Sequence, residues 1–525
     1  MPELGNWAIP VLRGAALFFL SRRYNCIYFQ RRTAWFDMLL TELAKSLTEK
    51  TLIGGDAEIK GISYDSRDVK PGDLFVAWKG ERHDGHKFIG DAVSRGAVAV
   101  MAEKSVDTSV PILIVPSSRK AMPIVSCRLY GNPSSKLRLV GVTGTNGKTS
   151  TTFFLQSIFE AAGFKSGLVG TLGARIGGRV IETEHTTPES VDIQRVLAKM
   201  VDEGVEAVTM EVSSHGLAQG RTDALEFDCG VFTNLTQDHL DYHGTLEEYL
   251  SAKLRLFAEY PLYSSKKFIA AVNADDPSAG AVIAAVKGEV ITFGVKNPSD
   301  VRGDKINVND SGVSFVITSG GASAEAYVPV GGYFSAYNAL AAAAAAIGLG
   351  IDLNVVAKGL SKSRKVPGRF ESVECGQDFG VVVDYAHTPD GLQNVLTTAR
   401  ELAKNRLIVV FGCGGDRDRT KRPIMGRIAS EIADIVIVTS DNPRTEDPES
   451  IIRDILEGVP AGKKDVIVLV DRAEAIRYAV NIAESGDTVV IAGKGHEDYQ
   501  IFADRTIHFD DRETAEAALK ERFHR

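Results

Sequence analysis

Cysteine is scarce in this sequence, and no two cysteines lie close enough to form a CxxC motif. The chain of 525 residues contains five of them, at Cys26, Cys127, Cys229, Cys375 and Cys413. This spacing is typical neither of a zinc cluster nor of a disulfide framework. Proteins without disulfides are usual in reducing compartments, so we expect a cytoplasmic protein.

A membrane-length apolar segment and an excess of positive charge are also missing. The apolar stretch Gly14–Leu20 is much shorter than the roughly 20 residues that a membrane-spanning helix needs. Lys and Arg number 60 against 68 Asp and Glu, a formal net charge of −8, which provides no general attraction to nucleic acids or anionic membranes. We therefore expect no membrane span and no nucleic-acid partner, and any anion must be bound at a local site.

Residues 1–37 differ in composition from the rest of the chain. They contain two acids, Glu3 and Asp37, and five arginines, Arg13, Arg22, Arg23, Arg31 and Arg32. The residues that follow the apolar stretch, from Ser21, make a poor signal-peptidase site. We interpret the segment as a disordered extension, or as a start assigned upstream of Met38. A weak interfacial anchor is the alternative.

What is present is the composition of a soluble globular protein, with 44% hydrophobic and 24% charged residues. At about 150 residues per domain, the length predicts three or four domains. Short apolar runs alternate with helical segments, which predicts an α/β fold with parallel sheets. The pattern restarts after a charged stretch at 362–367, so we predict three domains, at 38–117, 118–365 and 366–525.

The predicted strands fall into three groups that follow these domains. The first group is Ile59–Tyr64, Leu74–Ala77, Ala97–Met101 and Ile112–Val115. The second is 137–142, Ala207–Glu211, Gly230–Asn234 and Phe268–Asn273, with helices predicted at Thr149–Ala162 and Ala339–Ile347. The third is Val381–Asp384, Leu407–Phe411, Ile435–Thr439, Val466–Val470 and Thr488–Ile491.

Polar clusters follow the ends of six of these strands. They are Thr143–Thr149, Val212–His215, Asp384–Asp390, Gly412–Arg419, Ser440–Arg444 and Gly493–Glu497. Open α/β sheets bind their ligands at the carboxyl ends of the strands. We therefore expect these clusters to form ligand sites rather than ordinary loops.

The sequence Gly144-Thr145-Asn146-Gly147-Lys148-Thr149 lies between a predicted strand and a predicted helix. Glycines let backbone amides turn toward a phosphate, and the helix N-terminus adds positive potential. Lys148 would neutralise phosphates and the Thr149 hydroxyl would bind Mg²⁺. The loop departs from the common Walker pattern, which has glycine where Val142 stands, and a plain glycine turn is the alternative. We favour nucleotide binding.

Two acidic and histidine-containing segments are candidates for metal binding. Glu211 ends a strand of the same predicted sheet, and Mg²⁺ prefers oxygen ligands. Asp238, His239 and His243 form the second segment, without the HExxH pattern of a zinc helix. Taken alone, each histidine is better explained as a hydrogen-bonding loop residue.

Nine motifs in order resemble those of the Mur ligases of peptidoglycan synthesis. They are GTNGKT (144–149), EVSSHGLAQGR (211–221), NLTQDHLDYHG (234–244), YNALAA (337–342), GRFE (368–371), DYAHTPD (384–390), GCGGDRDRTKRP (412–423), DNPRTEDP (441–448) and GKGHED (493–498). The resemblance covers the chain from Met38 onward. Within the family, the members that add diaminopimelate are the most similar.

The resemblance implies an α/β protein with the three-domain Mur ligase architecture. The first domain binds a UDP substrate, the central P-loop-type domain is the ATPase, and the C-terminal Rossmann-like domain presents the amino acid. ATP phosphorylates a glutamyl carboxylate of UDP-MurNAc-L-Ala-D-Glu, and the amine of meso-diaminopimelate attacks the acyl phosphate. Phosphorylation provides a leaving group, and domain closure excludes water. We expect a cytoplasmic monomer.

The same resemblance implies a role for individual residues. Lys148, Lys253 and His239 are the catalytic residues, and Lys253 is carbamylated; without the resemblance it is a solvated helix lysine. Two Mg²⁺ ions are held by Thr149, Glu211, His239 and the Lys253 carbamate. ATP is bound by Gly144, Thr145, Asn146, Gly147, Lys148, Thr149, Asn338, Arg369 and Asp384. The UDP substrate is bound by Ser66, Thr186, Thr187, Ser213, Gln219 and Arg221. His185 stands where relatives often have asparagine, which leaves that contact open.

The sequence Asp441-Asn442-Pro443-Arg444 predicts the amino acid that is added. The distal head of diaminopimelate has a carboxylate, which suits a bidentate arginine, and an ammonium, which suits acidic or amide oxygens. Lysine lacks that carboxylate and gains nothing from Arg444. By resemblance, Arg417, Gly493 and Glu497 complete the pocket. The alternative, a simple proline turn, is compatible with this role.

Two other functions remain open from the residues. Another member of the ligase superfamily, such as a folylpolyglutamate synthase or a cyanophycin synthetase, shares the phosphate loop but should lack DNPR and the uridine-binding domain. A nucleotide-dependent switch or scaffold needs the phosphate loop but not Lys253, Arg444 and Glu497 together.

Overall fold

The fold is built on three large β-sheets that follow one another along the chain, and two further sheets in the described residues have two strands each. The structure, a computed structural model, describes residues 37–80, 83–309 and 312–523. The interpretation of residues 1–37 as an extension lies outside the described residues, except for Asp37. None of the helices in the described part is both long and apolar enough to cross a bilayer.

The first sheet has five strands in the order β2-β7-β6-β5-β4, of which β4 to β7 are parallel. The elements of this region are β1 (Met38–Leu39), α1 (Leu40–Ala44), β2 (Thr51–Ile53), β3 (Glu58–Ile59), β4 (Gly61–Ser63), β5 (Asp73–Val76), α2 (Ile89–Ser94), β6 (Ala99–Ala102), β7 (Ile112–Ile114) and α3 (Ser118–Leu129). Three short 3-10 helices lie at Ser66–Asp68, Gly85–Phe88 and Pro133–Lys136.

The prediction of a single strand at Ile59–Tyr64 is wrong. The structure divides it at Lys60, because β3 pairs antiparallel with β1 while β4 pairs parallel with β5 in the five-stranded sheet. The Lys60 amide bonds to the Gly72 carbonyl instead of continuing one ladder. The other three strands predicted in this region are confirmed to within two residues.

The second sheet has eleven strands in the order β11-β10-β9-β12-β8-β13-β14-β15-β16-β17-β18, and its centre, from β9 to β16, is parallel. Its strands are β8 (Arg138–Thr143), β9 (Ser166–Gly170), β10 (Gly173–Ile176), β11 (Arg179–Ile181), β12 (Ala207–Glu211), β13 (Cys229–Phe232), β14 (Ile269–Asn273), β15 (Glu289–Gly294), β16 (Val301–Asn309), β17 (Gly312–Ser319) and β18 (Ala322–Val328). The four strands predicted here are confirmed, whereas the other seven, including the parallel strands β9 and β15, were not predicted.

The helices of this region cover the parallel centre. They are α4 (Lys148–Ala161), α5 (Ser190–Asp202), α6 (Ser214–Ala218), α7 (Leu240–His243), α8 (Leu246–Ala258), α9 (Tyr260–Tyr263), α10 (Ala279–Ala285), α11 (Tyr333–Gly348) and α12 (Leu353–Ser361). Helix α11 extends the helix predicted at Ala339–Ile347, and its alanines from Ala339 to Ala346 are fully buried. Small side chains allow the helix backbone to approach the sheet closely.

The third sheet has the order β19-β20-β24-β21-β22-β23, and all its strands except β19 are parallel. The elements are β19 (Glu371–Ser372), β20 (Gly380–Asp384), α13 (Pro389–Leu402), β21 (Leu407–Phe411), α14 (Lys421–Ile432), β22 (Ile435–Val438), α15 (Pro448–Leu456), β23 (Val466–Val468), α16 (Arg472–Ile482), β24 (Thr488–Ala492), β25 (Tyr499–Ile501), β26 (Thr506–His508) and α17 (Asp511–Phe523). The five predicted strands are confirmed, with ends that differ by up to two residues.

Helix α3 shows how the first two sheets are joined. Its buried Met122 and Val125 pack in the core of the first sheet, together with Val191 and Ala198 of α5. The predicted α/β class and three-part architecture agree with this arrangement, while the domain boundaries at 117 and 365 stay predictions.

Candidate active site

The phosphate loop connects β8 to α4 and depends on glycine at two positions. Gly144 and Gly147 have φ values of 150° and 86°. A Cβ would lie 1.9 Å from Thr233 Oγ1 at the first position and 2.1 Å from Asn338 Oδ1 at the second. The loop therefore packs directly against its neighbours. The first amides of α4 have no hydrogen-bond partner among the described residues, which is the arrangement that suits an anion at a helix N-terminus.

Two lysine side chains converge on one carbonyl oxygen of this loop. Lys148 Nζ and Lys253 Nζ each donate to the Gly144 oxygen at 2.9 Å. Lys253, on α8, is 1% exposed. Burial, and then the charge of Lys148, hold the pKa of Lys253 well below its ordinary value. Burial also lowers the pKa of Lys148. A neutral amine at Lys253 relieves the repulsion between the two.

Glu211 at the end of β12 is a buried carboxylate with hydroxyl and amide partners. It accepts hydrogen bonds from Thr149 Oγ1 at 3.0 Å, and from the amide and hydroxyl of Thr171 at 2.9 and 3.0 Å. Within the described residues it forms no ion pair, although it is 1% exposed. Such a carboxylate beside a threonine hydroxyl fits Mg²⁺, which prefers oxygen ligands.

Asp238 and His239 lie beside this site, in the segment that follows β13. Their side chains are 3.3 Å apart, between Oδ2 and Nε2. Burial lowers the pKa of His239 to about 3, so its imidazole is neutral and able to bind a metal. The described residues contain no cluster of three or more His, Cys, Asp or Glu placed to hold a metal.

The third region of the chain reaches the phosphate loop directly. Asn146 Nδ2 donates to Asp390 Oδ2 at 2.7 Å, and Arg369 Nη2 donates to Thr149 Oγ1 at 3.1 Å. Lys421 Nζ lies 3.8 Å from the Asp238 carboxylate. The loops after β8 and β13 thus meet the loops of the third sheet.

A cavity of about 660 Å³ lies where these two regions meet. Five of the nine predicted ATP residues line it, namely Asn146, Gly147, Asn338, Arg369 and Asp384. Arg369 Nε is buried and has no hydrogen-bond partner among the described residues. Both oxygens of Asp384 accept backbone amides, from Phe370 at 2.7 Å and Ala386 at 2.8 Å. Burial raises the pKa of Asp384.

Four of the six predicted UDP-substrate residues form one network beside β12. Thr187 Oγ1 accepts from the Ser213 amide at 2.9 Å, and the Thr187 carbonyl accepts from Arg221 at 3.0 Å. Arg221 also donates to Gln219 Oε1 at 3.0 Å. Thr186 is linked instead to the Thr171 hydroxyl, 3.1 Å away.

Ser66 and His185 stay apart from this network. No hydrogen bond or ion pair in the described residues joins Ser66 to the other five predicted positions. His185 is exposed, and the backbone of its neighbour Glu184 is a hydrogen-bond partner of its ring.

The predicted amino-acid pocket lies at the carboxyl ends of β22 and β24. Asn442 Nδ2 donates to Glu497 Oε2 at 2.9 Å. Arg444 uses Nη1 to bond the Gly415 carbonyl at 2.9 Å, while its Nε and Nη2 have no partner among the described residues. Asp441 Oδ1 accepts the Asn442 amide at 2.6 Å, and its Oδ2 accepts nothing from the described chain. Two donors of one guanidinium and an acidic oxygen are thus available.

Tyr499 lies close to the charges of both Glu497 and Arg444. Burial, followed by the charge of Glu497, raises the pKa of Tyr499 to about 12, and the Arg444 guanidinium partly opposes the rise. Gly493 also contacts the pocket, since a Cβ there would lie 2.6 Å from Asp441 Oδ2. Arg417 is different: it is exposed and donates to the carbonyl of its neighbour Asp416.

Sequence reasoning missed several residues that hold these loops in place. Arg422 is fully buried and bonds Glu446, Asp454 and the Gly414 carbonyl. Arg472 forms a second buried ion pair, with Asp511. The Arg472 guanidinium also donates to the carbonyls of Ser440, just after β22, and of Ala492, at the end of β24. Lys494 and Glu189 were also missed. Glu189 pairs with Arg119 and Arg221, which are distant in the sequence. Lys494 bonds the nearby Glu497 but also the distant Asn442, and nothing in the sequence shows that its side chain is buried.

Comparison with known families accounts for most of the chain. Residues 58–128 match the profile "Mur ligase family, catalytic domain", residues 142–346 match "Mur ligase middle domain", and residues 368–495 match "Mur ligase, glutamate ligase domain". A protein of Geobacillus thermodenitrificans is 50% identical over 471 residues, 89% of this chain and 96% of that protein. The chain therefore belongs to the Mur ligase family.

The relatives carry a more specific name than the family. The Geobacillus protein and one from Clostridium tetani, 45% identical over 92% of this chain and 100% of that protein, are both named UDP-N-acetylmuramoyl-L-alanyl-D-glutamate–2,6-diaminopimelate ligase. A solved structure of that name is 35% identical, with a TM-score of 0.64 over 89% of this chain and 96% of that chain.

Another structure in the comparison shows the fold alone. The MurF ligase from Thermotoga maritima in complex with ADP is 21% identical, with a TM-score of 0.65 over 88% of this chain and 98% of that chain.

Proposed function

We propose that this protein ligates meso-2,6-diaminopimelate to UDP-N-acetylmuramoyl-L-alanyl-D-glutamate with consumption of ATP, in peptidoglycan synthesis. The observation that carries the proposal is the pocket at Asp441–Arg444. It offers a two-donor fork for a carboxylate and acidic oxygens for an ammonium, the two groups of the distal head of diaminopimelate. Relatives at 45–50% identity carry the name of this reaction.

ATP is the phosphoryl donor, and the cavity between the second and third sheets is suited to it. Arg369 lines this cavity, and its guanidinium is suited to the phosphates of a nucleotide. The N-terminus of α4 and Lys148 face the same loop, where they neutralise the β- and γ-phosphates. Asp384 and Asn338 hold the nucleoside in position.

Magnesium fits the oxygens of Thr149 and Glu211, with His239 beside them. When bound, it neutralises the phosphate charge that develops during transfer. We propose that Lys253 completes the site as a carbamate, because its neutral amine can react with CO₂ and the product is an anion. We propose two Mg²⁺ ions, the number that the family resemblance implies.

The reaction proceeds in two steps. In the first step, a glutamyl carboxylate oxygen attacks the γ-phosphorus of ATP, and the bond between the γ-phosphorus and the β,γ-bridging oxygen breaks. ADP departs, and the substrate is now an acyl phosphate. The neutral amine of diaminopimelate attacks the acyl carbon, and the tetrahedral species collapses as the C–O bond to phosphate breaks and the amine loses a proton. The chain orients both reactants and excludes water, because hydrolysis of the acyl phosphate would waste ATP.

The test is phosphate release by the purified protein with each substrate omitted in turn. We expect release to need ATP, the UDP-linked dipeptide and diaminopimelate together, with a product whose mass corresponds to the tripeptide. Equal release with L-lysine, or release with neither amino acid nor UDP substrate, would contradict the proposal. A folylpolyglutamate-type ligase would instead require a folate and glutamate.

A further inference from the structure

Lys494 is a fully buried lysine to which neither the motifs nor the proposed reaction gives a role. It follows β24 between Gly493 and Gly495, and its side chain is 0% exposed. Its Nζ lies 2.9 Å from Glu497 Oε2 and 3.3 Å from Asn442 Oδ1. The Tyr499 ring centroid is 5.3 Å away. Because it has no exposed surface, Lys494 acts through its neighbours and not by contact with a substrate.

The contacts of Lys494 determine the orientation of Asn442. The Asn442 Oδ1 accepts from Lys494 and from the Ile501 amide at 3.0 Å, so it faces two donors. The amide nitrogen must then face Glu497 Oε2, to which it donates at 2.9 Å. With the opposite orientation, a nitrogen would meet two donors and an oxygen would meet a carboxylate.

The same contacts determine which oxygen of Glu497 is available. Oε2 accepts two hydrogen bonds, from Lys494 and Asn442, whereas Oε1 accepts none from the described residues. The side chain keeps 13% exposure. One oxygen of Glu497 is therefore held by the protein and the other is presented to a ligand.

Charge balance in the pocket depends on Lys494 as well. Asp441 and Glu497 contribute two negative charges to the pocket. With Arg444 as the only positive partner, these three side chains would carry a net charge of −1. Lys494 brings the sum to zero, which matches a ligand head with one ammonium and one carboxylate. Burial raises the pKa of Glu497, Lys494 opposes the rise and Asp441 adds to it, so loss of the lysine would also weaken the ionised form.

We propose that Lys494 is a positioning residue that makes this pocket select a zwitterionic amino-acid head over a plain ammonium. It does so by holding one oxygen of Glu497, orienting Asn442 and balancing the second carboxylate. The inference rests on the proposed function, because it concerns how the same pocket discriminates diaminopimelate from lysine.

The test compares Lys494→Met with the wild type, with diaminopimelate and with L-lysine. We expect KM for diaminopimelate to rise by about 30-fold or more, since one partner of a buried pair is removed. The preference for diaminopimelate over lysine, as a ratio of kcat/KM values, should fall by about 10-fold or more, while KM for ATP stays within about twofold. The double variant Lys494→Met/Glu497→Gln should regain part of that preference, because the charge sum returns to zero.

Lys463→Met is the control, because Lys463 belongs to the same region of the chain and, among the described residues, its Nζ bonds only the Ala433 carbonyl, at 2.8 Å. It should leave both KM values unchanged. If Lys494→Met does not fold, Lys494→Gln, which keeps a donor without the charge, carries the same expectations. An unchanged preference in a folded Lys494 variant, or an equal change in every KM, would overturn the inference. A wild type that does not use diaminopimelate would instead contradict the proposed function.

Discussion

Two buried lysines stand at the two ends of the proposed reaction, and they differ in their partners. Lys253, at the phosphate loop, is 1% exposed and donates to a carbonyl, with no ion pair among the described residues. Lys494, in the amino-acid pocket, is fully buried and contacts the Glu497 carboxylate at 2.9 Å. A buried ammonium is stable only when it is paired, so the first amine is suited to chemical modification and the second to electrostatic support.

The largest effect is expected at Lys253. Lys253→Ala should reduce kcat by about 100-fold or more, because a proposed metal ligand is lost. Added short carboxylates should restore part of the activity, since they replace the carbamate anion. Phosphate release with and without acetate measures both effects. Lys253→Arg, which keeps a long side chain that can donate hydrogen bonds but cannot form a carbamate, is the control, and it should also be inactive. Activity within about threefold of wild type in either variant would remove the contrast between the two lysines.

The next effect concerns Arg444 in the amino-acid pocket. Arg444→Ala should raise KM for diaminopimelate by about 30-fold or more, because the carboxylate of the substrate loses its bidentate partner. KM for ATP should not change, and steady-state kinetics with each substrate varied would show the difference. Arg444→Lys keeps the charge but not the fork and should recover only part of the affinity. An unchanged KM for diaminopimelate in Arg444→Ala would contradict the assignment.

A pair of glycine substitutions separates the two regions more finely. Gly147→Ala places a Cβ 2.1 Å from Asn338, and Gly493→Ala places one 2.6 Å from Asp441. Each change should raise one KM by about 10-fold, that for ATP in the first variant and that for diaminopimelate in the second. Gly163→Ala, at a positive φ but with open space around the added atom, controls for backbone strain alone. If both variants changed the same KM, the two regions would not be functionally separate.

The smallest effect is on stability and concerns Glu446, which braces the amino-acid pocket. Hydrogen bonds from Arg422 lower the pKa of Glu446 from 4.5 to about 2. Because the folded-state pKa is depressed, its contribution is complete above pH 4.5 and is lost as the pH falls toward 2. Glu446→Gln should lower Tm by about 2–4 °C at pH 7, and the difference should shrink below pH 4.5. The exposed Glu449→Gln is the control. A difference that persists at low pH would exclude this pair as its source.

Many of the parallel strands in the three large sheets could be predicted from the sequence, because they are short apolar runs between helices. The clusters after β8, β12, β20, β21, β22 and β24 were placed at strand ends for the same reason. The strands β9 to β11 and β15 to β18 were missed. In β16, residues such as Arg302, Asp304 and Lys305 interrupt the apolar pattern. The division of β3 from β4 was missed because one lysine between two apolar residues looks like ordinary alternation.

The candidate site was predictable only where a motif carried it. Glu211 and Thr149 meet because two parallel strands end side by side, and the resemblance placed them together. The bond from Asn146 to Asp390, the Arg472 pair and the burial of Lys494 depend on tertiary packing between distant segments. The individual site roles, the carbamate, the monomeric state and the cytoplasmic location stay predictions.

The most direct test of the central claim is a competition between diaminopimelate and L-lysine at equal concentration, with ATP and the UDP-linked dipeptide. Mass spectrometry of the wild-type product identifies which amino acid has been added. The pocket at Asp441–Arg444 predicts that the diaminopimelate product dominates, and that Arg444→Ala removes most of this dominance. A predominant lysine product from the wild type, or the same product ratio in Arg444→Ala, would contradict the account.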